Sequence, residues 1–202
     1  MTGPAAIEAR LRRAVRGLDA APSPQEAREH LHEWGRPSSR EAAVLVPFVR
    51  RDRDLSVLFT RRAAHLRHHP GQVSFPGGGL EAVDAGPIDA ALRETREETG
   101  IDADRIEPFG YLDCVPTVSG YCVSPVTAFV RGDFVAVPDA REVDEVFEVP
   151  FDYILQPTTL RRERLRWQGR DHVIHAFDWQ GHRIWGVTAA ILKNLLDRME
   201  RT

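Results

Sequence analysis

Three glutamates lie close together in the stretch "ALRETREETGI", at Glu94, Glu97 and Glu98. On a helix, residues three and four positions apart share a face, so these carboxylates would project from one side and repel one another. One interpretation is a solvated face whose charge is offset by Arg93 and Arg96. The other is a set of hard oxygen ligands for Mg²⁺ or Mn²⁺.

A glycine-rich segment, "FPGGGLEAVDAG", comes directly before this stretch and includes Gly77 and Gly78. Glycines let a backbone turn freely, and they also let it approach a phosphate or a metal closely. Pro87 and Gly100 are typical of the first turn and the end of a helix, so a helix is predicted over residues 87–99. A glycine loop that leads into an acidic helix favours the metal interpretation over a solvated face.

The combined segment resembles the Nudix box, the signature of the Nudix hydrolases. That signature contains a glycine, five residues, a glutamate, seven residues and then Arg-Glu-U-x-Glu-Glu-x-Gly-U, where U is a bulky aliphatic residue. The matching positions are Gly78, Arg93, Glu94, Glu97, Glu98, Gly100 and Ile101. Thr95 departs from the pattern, and Asp84 stands in place of the first glutamate, with eight residues between it and Arg93.

The segment upstream of the box is similar to the extended signature of coenzyme A pyrophosphatases, a branch of the same family. The positions that fit are Leu58, Thr60, Arg62, Leu66, Arg67, Gly71, Val73, Phe75, Pro76, Gly77 and Gly78. Ala63 replaces a serine, and Glu81 replaces the first aspartate of an Asp-x-x-Asp pair whose second member is Asp84. With the later segments "EVDEVFEVP" and "IWGVTAAIL", the resemblance covers roughly residues 42–195.

The resemblance implies an α+β fold, a Nudix-type α/β/α sandwich with a mixed sheet and a loop-helix-loop catalytic motif. Helical and strand patterns follow one another without a regular βαβ order, which also indicates the α+β class. We expect a Nudix hydrolase domain over residues 41–202 and an N-terminal helical extension over residues 1–40. The implied reaction is metal-dependent cleavage of the diphosphate of coenzyme A or acyl-CoA. It yields 4'-phosphopantetheine, or its acyl form, and adenosine 3',5'-bisphosphate.

By resemblance, Glu94, Glu97 and Glu98 hold Mg²⁺ or Mn²⁺, which is the cofactor of the implied reaction. Divalent ions screen the anionic diphosphate and lower the pKa of bound water. Glu97 is a candidate to accept the proton of the attacking water. Glu142 in "AREVDEV" is a candidate ligand or base that is otherwise a plain surface charge. Arg93 is expected to act within the catalytic helix by holding a glutamate in place, a bidentate role that suits a planar guanidinium.

A basic segment, "TRRAAHLRHHPG", precedes the glycine loop and contains Arg62 and Arg67. It predicts either a solvated loop or a clamp for substrate phosphates, including the 3'-phosphate of coenzyme A. Under the second interpretation the substrate-binding residues are Arg62, Arg67, Gly77 and Gly78. The histidines of the segment are not expected to bind the metal, because Mg²⁺ prefers oxygen ligands.

Two other functions stay open. The first is hydrolysis of another Nudix substrate, such as ADP-ribose, NADH or a nucleoside triphosphate, which the box itself does not distinguish. The upstream signature favours coenzyme A over these. The second is a non-catalytic Nudix-fold ligand sensor, which would be expected to lose helix glutamates, whereas all three are present in this chain.

The composition limits which partners the protein is expected to bind and where in the cell it is expected to be. The net charge of −3 argues against a general nucleic-acid binder. No apolar run is long enough to span a membrane, and the N-terminus lacks the apolar stretch of a secretory signal. Cys114 and Cys122 are interpreted as thiols in a cytoplasmic protein, because no nearby Cys or His provides zinc-ligand spacing. The expected partner is a small nucleotide substrate of the coenzyme A type, and the resemblance is compatible with a homodimer.

Hydrophobic periodicity predicts the remaining elements. Short helices are expected over residues 5–18 and 25–34, and a strand hairpin in "REAAVLVPFVR" and "DLSVLFTRR". Strands are predicted in "EPFGYLDCV" and "YCVSPVTAFV", a β-meander over residues 159–186, and an amphipathic helix over residues 186–200. The tryptophans are expected to pack against the core rather than to stack on adenine.

Overall fold

The computed structural model describes residues 4–23, 40–51, 54–117, 119–167 and 169–202. Its helices are α1 (Pro4–Ala14), α2 (Pro87–Thr99), α3 (Phe151–Ile154) and α4 (Val187–Arg201), with a 3-10 turn at Ala103–Arg105. The strands are β1 (Arg40–Arg51), β2 (Asp54–Arg62), β3 (Val73–Ser74), β4 (Gly77–Gly79), β5 (Ile106–Tyr111), β6 (Val115–Pro116), β7 (Tyr121–Val130), β8 (Val143–Pro150), β9 (Arg161–Trp167), β10 (Arg170–Trp179) and β11 (His182–Trp185). The predicted helices α2 and α4 are confirmed, while the helix predicted over residues 25–34 lies outside the described residues. None of the described helices is long and apolar enough to cross a membrane.

The first helix ends at Ala14, earlier than the predicted boundary at residue 18. The backbone leaves the helix because Arg16 exchanges two hydrogen bonds with Tyr111, at 2.9 and 3.0 Å. Leu11 is fully buried, and the Arg10 guanidinium donates to the carbonyl oxygen of Met199 in α4. The described part of the N-terminal region therefore packs on the body of the protein, and the boundary of the catalytic domain at residue 41 stays a prediction.

The main sheet is mixed, because β1 runs parallel to β7 and antiparallel to β2 and β4. β2 pairs with β1 only from Phe48 to Arg51, and β4 pairs with β1 from Ala42 to Val44. β1 and β2 separate between these regions, and the short segment from β3 to β4 fills the gap, since β3 pairs with β2. This topology places the glycines of β4 within the sheet, beside its central strand.

Both faces of the main sheet are covered by helices, as alternating side chains of a strand require. On one face, Ala43 and Leu45 of β1 pack with Ala90 and Ala91 of α2. On the other face, a larger cluster joins the sheet to α1 and α4; its members include Leu11, Phe48, Phe59, Phe129, Ile191 and Leu195. Burial of each large apolar side chain contributes roughly 1.5–3 kcal/mol. The predicted α/β/α sandwich of the α+β class is confirmed.

The predicted meander is also confirmed, as a separate three-stranded antiparallel sheet in the order β11-β10-β9. Phe177 and Ile184 of this sheet belong to the core cluster that includes α4. Trp179 packs on Tyr153, with ring centroids 4.7 Å apart, as expected for a packing tryptophan. The hairpin of β10 and β11 thereby reaches the end of the main sheet where β2 and β3 lie.

Cys114 and Cys122 form a disulfide, so the interpretation of both residues as thiols is wrong. β6 pairs with β7, and Pro116 lies opposite Cys122, which draws the two segments together. The Cα atoms are 6.1 Å apart, within the usual range for bridged cysteines. The short separation of the two cysteines in sequence did not reveal this pairing.

Candidate active site

The acidic helix α2 has the predicted bounds. Pro87 occupies the first turn, and Gly100 ends the helix in the left-handed conformation, with φ 71°, where its N–H donates to Arg96 O. The three glutamates of this helix differ in how far they are exposed to solvent. The side chains of Glu94, Glu97 and Glu98 are 15%, 59% and 4% exposed, so the last glutamate is turned towards the sheet.

The glycines of β4 lie against these carboxylates. Gly77 N–H donates to Glu98 Oε2 at 3.3 Å. A Cβ on Gly78 would lie 2.4 Å from Glu94 Oε1, and one on Gly77 would lie 2.3 Å from the carbonyl oxygen of Ala43. Glycine at position 77 therefore allows β4 to pair closely with β1, and glycine at position 78 leaves room for the Glu94 carboxylate.

Arg93 connects the helix to the loop that precedes it. Its Nε and Nη2 donate to the two carboxylate oxygens of Asp84, both at 3.0 Å, and Nη2 also donates to Gly79 O. Its Nη1 donates to Glu94 at 2.9 Å and to Glu97 at 3.3 Å. The guanidinium thus holds two helix glutamates, the positioning role predicted for it. The bidentate contact also lowers the pKa of Asp84, with help from the Glu81 N–H, and raises the pKa of Arg93.

Glu98 carries the most perturbed carboxyl group of the site. Burial raises its pKa from 4.5 to about 8, because the charged form loses its hydration. The Gly77 N–H and Arg62 act in the opposite direction, while the charges of Glu94 and Glu142 add to the rise. Burial also raises the pKa of Glu94, although Arg93 opposes that shift. The protein therefore leaves negative charge on this helix incompletely compensated.

The loop before β8 docks on the end of the acidic helix and brings Glu142 towards it. Val137 N–H donates to Thr99 O at 2.8 Å, and Asp139 N–H donates to Glu98 O at 3.2 Å, so carbonyls of the last helical turn gain partners. Ala63 N–H donates to Glu142 O at 2.8 Å, which fixes the same loop to the end of β2. The exposed Glu142 carboxylate raises the pKa of both Glu94 and Glu98, which places its charge near theirs.

The basic segment is divided by the fold. Arg62 Nη1 lies 4.0 Å from Glu98 Oε1, so this arginine faces the acidic helix. Arg67 is exposed and makes no hydrogen bond or ion pair with the other described residues. Arg61 points to the other face of β2, where it meets Glu145 at 3.3 Å. The structure therefore brings Arg62, but not Arg67, into contact with the candidate site.

The donor chemistry suits a divalent cation, since Glu94, Glu97, Glu98 and Glu142 are all carboxylates and hard ions prefer oxygen ligands. Within the part of the chain that the structure describes, no three His, Cys, Asp or Glu side chains converge on one point where an ion would sit. The reason lies in their partners: Glu98 accepts from Gly77, and Arg93 binds the other two helix glutamates. Side-chain rotation is needed to turn these oxygens to a common centre.

Asp84 is the residue of the site whose role the sequence did not reveal. Its side chain is only 3% exposed and is engaged by Arg93. The Asp-x-x-Asp pattern noted in the sequence marks its position, but the bidentate contact depends on the loop folding back over α2. The missed role is positional: Asp84 holds the arginine that holds the glutamates.

A mixed sheet between helices, with an acidic helix packed on a glycine strand, defines a Nudix-type domain. The NUDIX domain model matches residues 39–183. NudL of Enterobacter sp. (strain 638), described as an uncharacterized Nudix hydrolase, is 40% identical over 156 residues, which cover 77% of this chain and 81% of the relative. NudL of Escherichia coli (strain K12 / DH10B) is 38% identical over 172 residues, or 85% and 86% of the two chains. The chain therefore belongs to the Nudix hydrolase family, whose members act on phosphorus anhydrides of nucleoside diphosphate derivatives.

Solved structures agree on the fold. A MutT/nudix family protein from Enterococcus faecalis superimposes with a TM-score of 0.51 at 17% identity, over 97% of this chain and 74% of the other. At this identity the likeness supports the architecture and does not extend to the substrate.

Proposed function

We propose that this protein is a coenzyme A pyrophosphatase, which uses Mg²⁺ or Mn²⁺ to cleave the diphosphate of coenzyme A or acyl-CoA. The observation that carries the hydrolase proposal is the buried, undercompensated Glu98 beside Glu94 and the glycine strand. The choice of substrate rests on the upstream sequence signature, which includes Thr60, Arg62 and Arg67. We place the activity in the cytoplasm, in residues 41–202, with residues 1–40 as an extension and a homodimer compatible with the proposal.

In the proposed mechanism, Glu94, Glu97 and Glu98 would hold the divalent cation, which when bound would screen the diphosphate and acidify the attacking water. The residues of the chain supply position and proton transfer. Water adds to one phosphorus, the bridging P–O bond breaks, and the water proton passes to a carboxylate. Glu97 is our candidate acceptor because it is the most exposed of the three. Glu142 is the alternative acceptor or an added ligand, because its charge lies near Glu94 and Glu98.

Substrate phosphates would meet the glycine strand and the basic segment. The backbone of Gly78 lies directly against the Glu94 carboxylate, and the absence of side chains on this strand lets a substrate phosphate approach its backbone closely. Arg62 is close enough to Glu98 to contribute positive charge at that point. Arg67 is exposed on the adjoining loop, where it is available for the 3'-phosphate of coenzyme A.

The test is a product analysis. Coenzyme A, ADP-ribose and NADH are each incubated with the protein, with and without Mg²⁺ or Mn²⁺, and the products are separated by chromatography with mass detection. We expect metal-dependent release of 4'-phosphopantetheine, with slower cleavage of the other two. Faster cleavage of ADP-ribose or NADH would retain the hydrolase and refute the coenzyme A proposal. Binding without cleavage of any compound would favour the ligand sensor.

Variants of the helix test the metal-dependent mechanism. Glu97→Gln and Glu98→Gln should each lower kcat by about 10²-fold or more, because each loses an anionic oxygen that binds the cation or accepts a proton. Glu200→Gln is the matched control, since this glutamate is exposed on α4 and makes the same charge change. Circular dichroism checks that all three variants are folded. Wild-type rates in both Glu97→Gln and Glu98→Gln would contradict the mechanism.

A further inference from the structure

A cavity of about 420 Å³ lies across β2 from the acidic helix. Arg61 and Arg62 are neighbours in β2 and point to opposite faces, so Arg62 meets Glu98 while Arg61 lines the cavity. The polar part of the lining comes from two segments far apart in sequence, and it consists of Arg61, His69, Gln72, His182, Arg183 and Trp185. Nothing in the sequence predicted that these segments would meet.

The walls of the cavity are held by regular structure. Val73 pairs with Arg61 in the sheet, and Thr188 Oγ1 donates to Val73 O at 3.2 Å. The His182 ring stacks on Phe147, with centroids 4.0 Å apart. Both walls are therefore tied to strands or to the start of α4, so regular structure holds the cavity in place.

The charge of the lining is mainly positive, and its ion pairs are weak. Arg61 Nη2 is 3.3 Å from Glu145, and its buried Nε has no hydrogen-bond partner among the described residues. Arg183 pairs with Glu163 at 2.5 Å, with more than half of the arginine side chain exposed. Exposed pairs of this kind contribute little and are readily exchanged for another anion. Two guanidiniums are thus available to an incoming oxyanion.

We propose that this cavity binds a nucleoside phosphate. Guanidinium groups suit the paired oxygens of a phosphate, and Trp185 offers an indole surface to a base. The volume suits a ligand of this size. The proposal goes beyond the proposed function, and the ligand is either the far end of the substrate or a free nucleotide. Val73 at the cavity and Gly77 at the acidic helix are separated by at most about 14 Å of extended chain, a distance that one substrate can bridge.

Calorimetric titration of the metal-free protein tests the proposal, with adenosine 3',5'-bisphosphate as the probe. We expect binding that Arg183→Ala and Arg61→Gln each weaken about tenfold, since each removes a charge-assisted contact. Arg164→Ala is the matched control, because this arginine is exposed on β9, makes no ion pair with the other described residues, and removes the same charge. Failure of the wild-type protein to bind, or equal dissociation constants in the three variants, would overturn the proposal.

The nucleoside part has its own test. Trp185→Leu should weaken binding of adenosine 3',5'-bisphosphate several-fold and leave binding of inorganic phosphate unchanged, because only the base would stack on the indole. Equal loss for both probes, or loss for neither, would refute base recognition. Matching melting temperatures of the variants and the wild type exclude misfolding as the cause.

Kinetics then identify the source of the ligand and separate the two proposals. A higher KM of Arg183→Ala for coenzyme A, but not for its dephospho form, identifies the far end of the substrate. An unchanged KM with weakened nucleotide binding identifies a separate nucleotide site. If no substrate is cleaved with metal while nucleotide binding stays sensitive to Arg183, the proposed function fails and the cavity proposal stands. Metal-dependent cleavage with nucleotide binding insensitive to Arg183 supports the proposed function and refutes the cavity proposal.

Discussion

Replacing Glu98 by glutamine should stabilise the metal-free protein at alkaline pH. The Glu98 side chain is 4% exposed, and the pKa of its carboxyl group rises from 4.5 to about 8 on folding. The folded state therefore holds the proton more tightly than the unfolded chain, so stability falls as the pH rises between these two values and is constant above them. Glutamine stays neutral, keeps an oxygen that can accept the Gly77 N–H, and has no such loss.

The size of the effect follows from the same shift. One pKa unit corresponds to about 1.4 kcal/mol. The rise of the Glu98 pKa from 4.5 to about 8 therefore lowers the free energy of unfolding at pH 8.5 by at most about 5 kcal/mol. For a domain of this length, 1 kcal/mol moves the melting temperature by roughly 2–4 °C. The variant should therefore melt above the wild type at pH 8.5, by up to roughly 10–20 °C, and at nearly the same temperature at pH 4.5.

Differential scanning calorimetry in EDTA across pH 4.5–9 measures this difference directly. Glu97→Gln is the control, because its side chain is 59% exposed and a large stability change is not expected. A second series with Mn²⁺ should reverse the order, since a ligand that binds only the folded state stabilises the wild type. A difference between Glu98→Gln and the wild type that does not grow with pH would refute the reasoning. So would a variant that melts lower than the wild type in EDTA at pH 8.5.

Other predictions concern the elements that position the glutamates. Gly77→Ala should destabilise the protein by about 1–3 kcal/mol by denaturant titration, because its Cβ would meet Ala43 O at 2.3 Å, whereas Gly86→Ala, with open space around it, should not. Arg93→Lys should lower kcat at least tenfold, because one ammonium cannot replace the fork that holds the helix glutamates, and an unchanged kcat would exclude that role. Arg67→Ala should raise KM more for coenzyme A than for dephospho-coenzyme A, and equal increases would remove its link to the 3'-phosphate.

Local signals account for the parts of the fold that the sequence predicted. In the structure α2 begins at Pro87 and ends before Gly100, as the sequence predicted, because the signals that start and end a helix act within a few residues. The apolar runs of β1 and β2, separated by a short polar stretch, likewise predicted an antiparallel hairpin. The contacts of Arg93 with Glu94 and Glu97 could be predicted for the same reason, since these partners lie within four residues of it.

Contacts between segments that are distant in the chain could not be predicted from the sequence. Helical spacing placed Glu98 with Glu94 and Glu97, but the packing of α2 on β4 decides how deeply each one is buried. The cavity beside Arg61 needs a hairpin more than 100 residues further on, at His182, and spacing within either segment carries no sign of the other. The disulfide between Cys114 and Cys122 was missed because it depends on the pairing of β6 with β7, which the sequence analysis did not predict.

The differing burial of the three glutamates explains why a stable domain would keep a carboxylate where it costs stability. Arg93 donates a hydrogen bond to each of Glu94 and Glu97, and Glu97 is also largely exposed, so both carboxylates have a positively charged partner in contact. Among the described residues, the Glu98 carboxylate has only the Gly77 N–H and a guanidinium 4.0 Å away, and its pKa stays high despite both. A charge that the protein leaves unsatisfied binds a cation more strongly than one already paired, because binding then removes an existing penalty instead of breaking an ion pair. Of the three glutamates, the one that most weakens the metal-free protein is therefore the one expected to bind the metal most tightly.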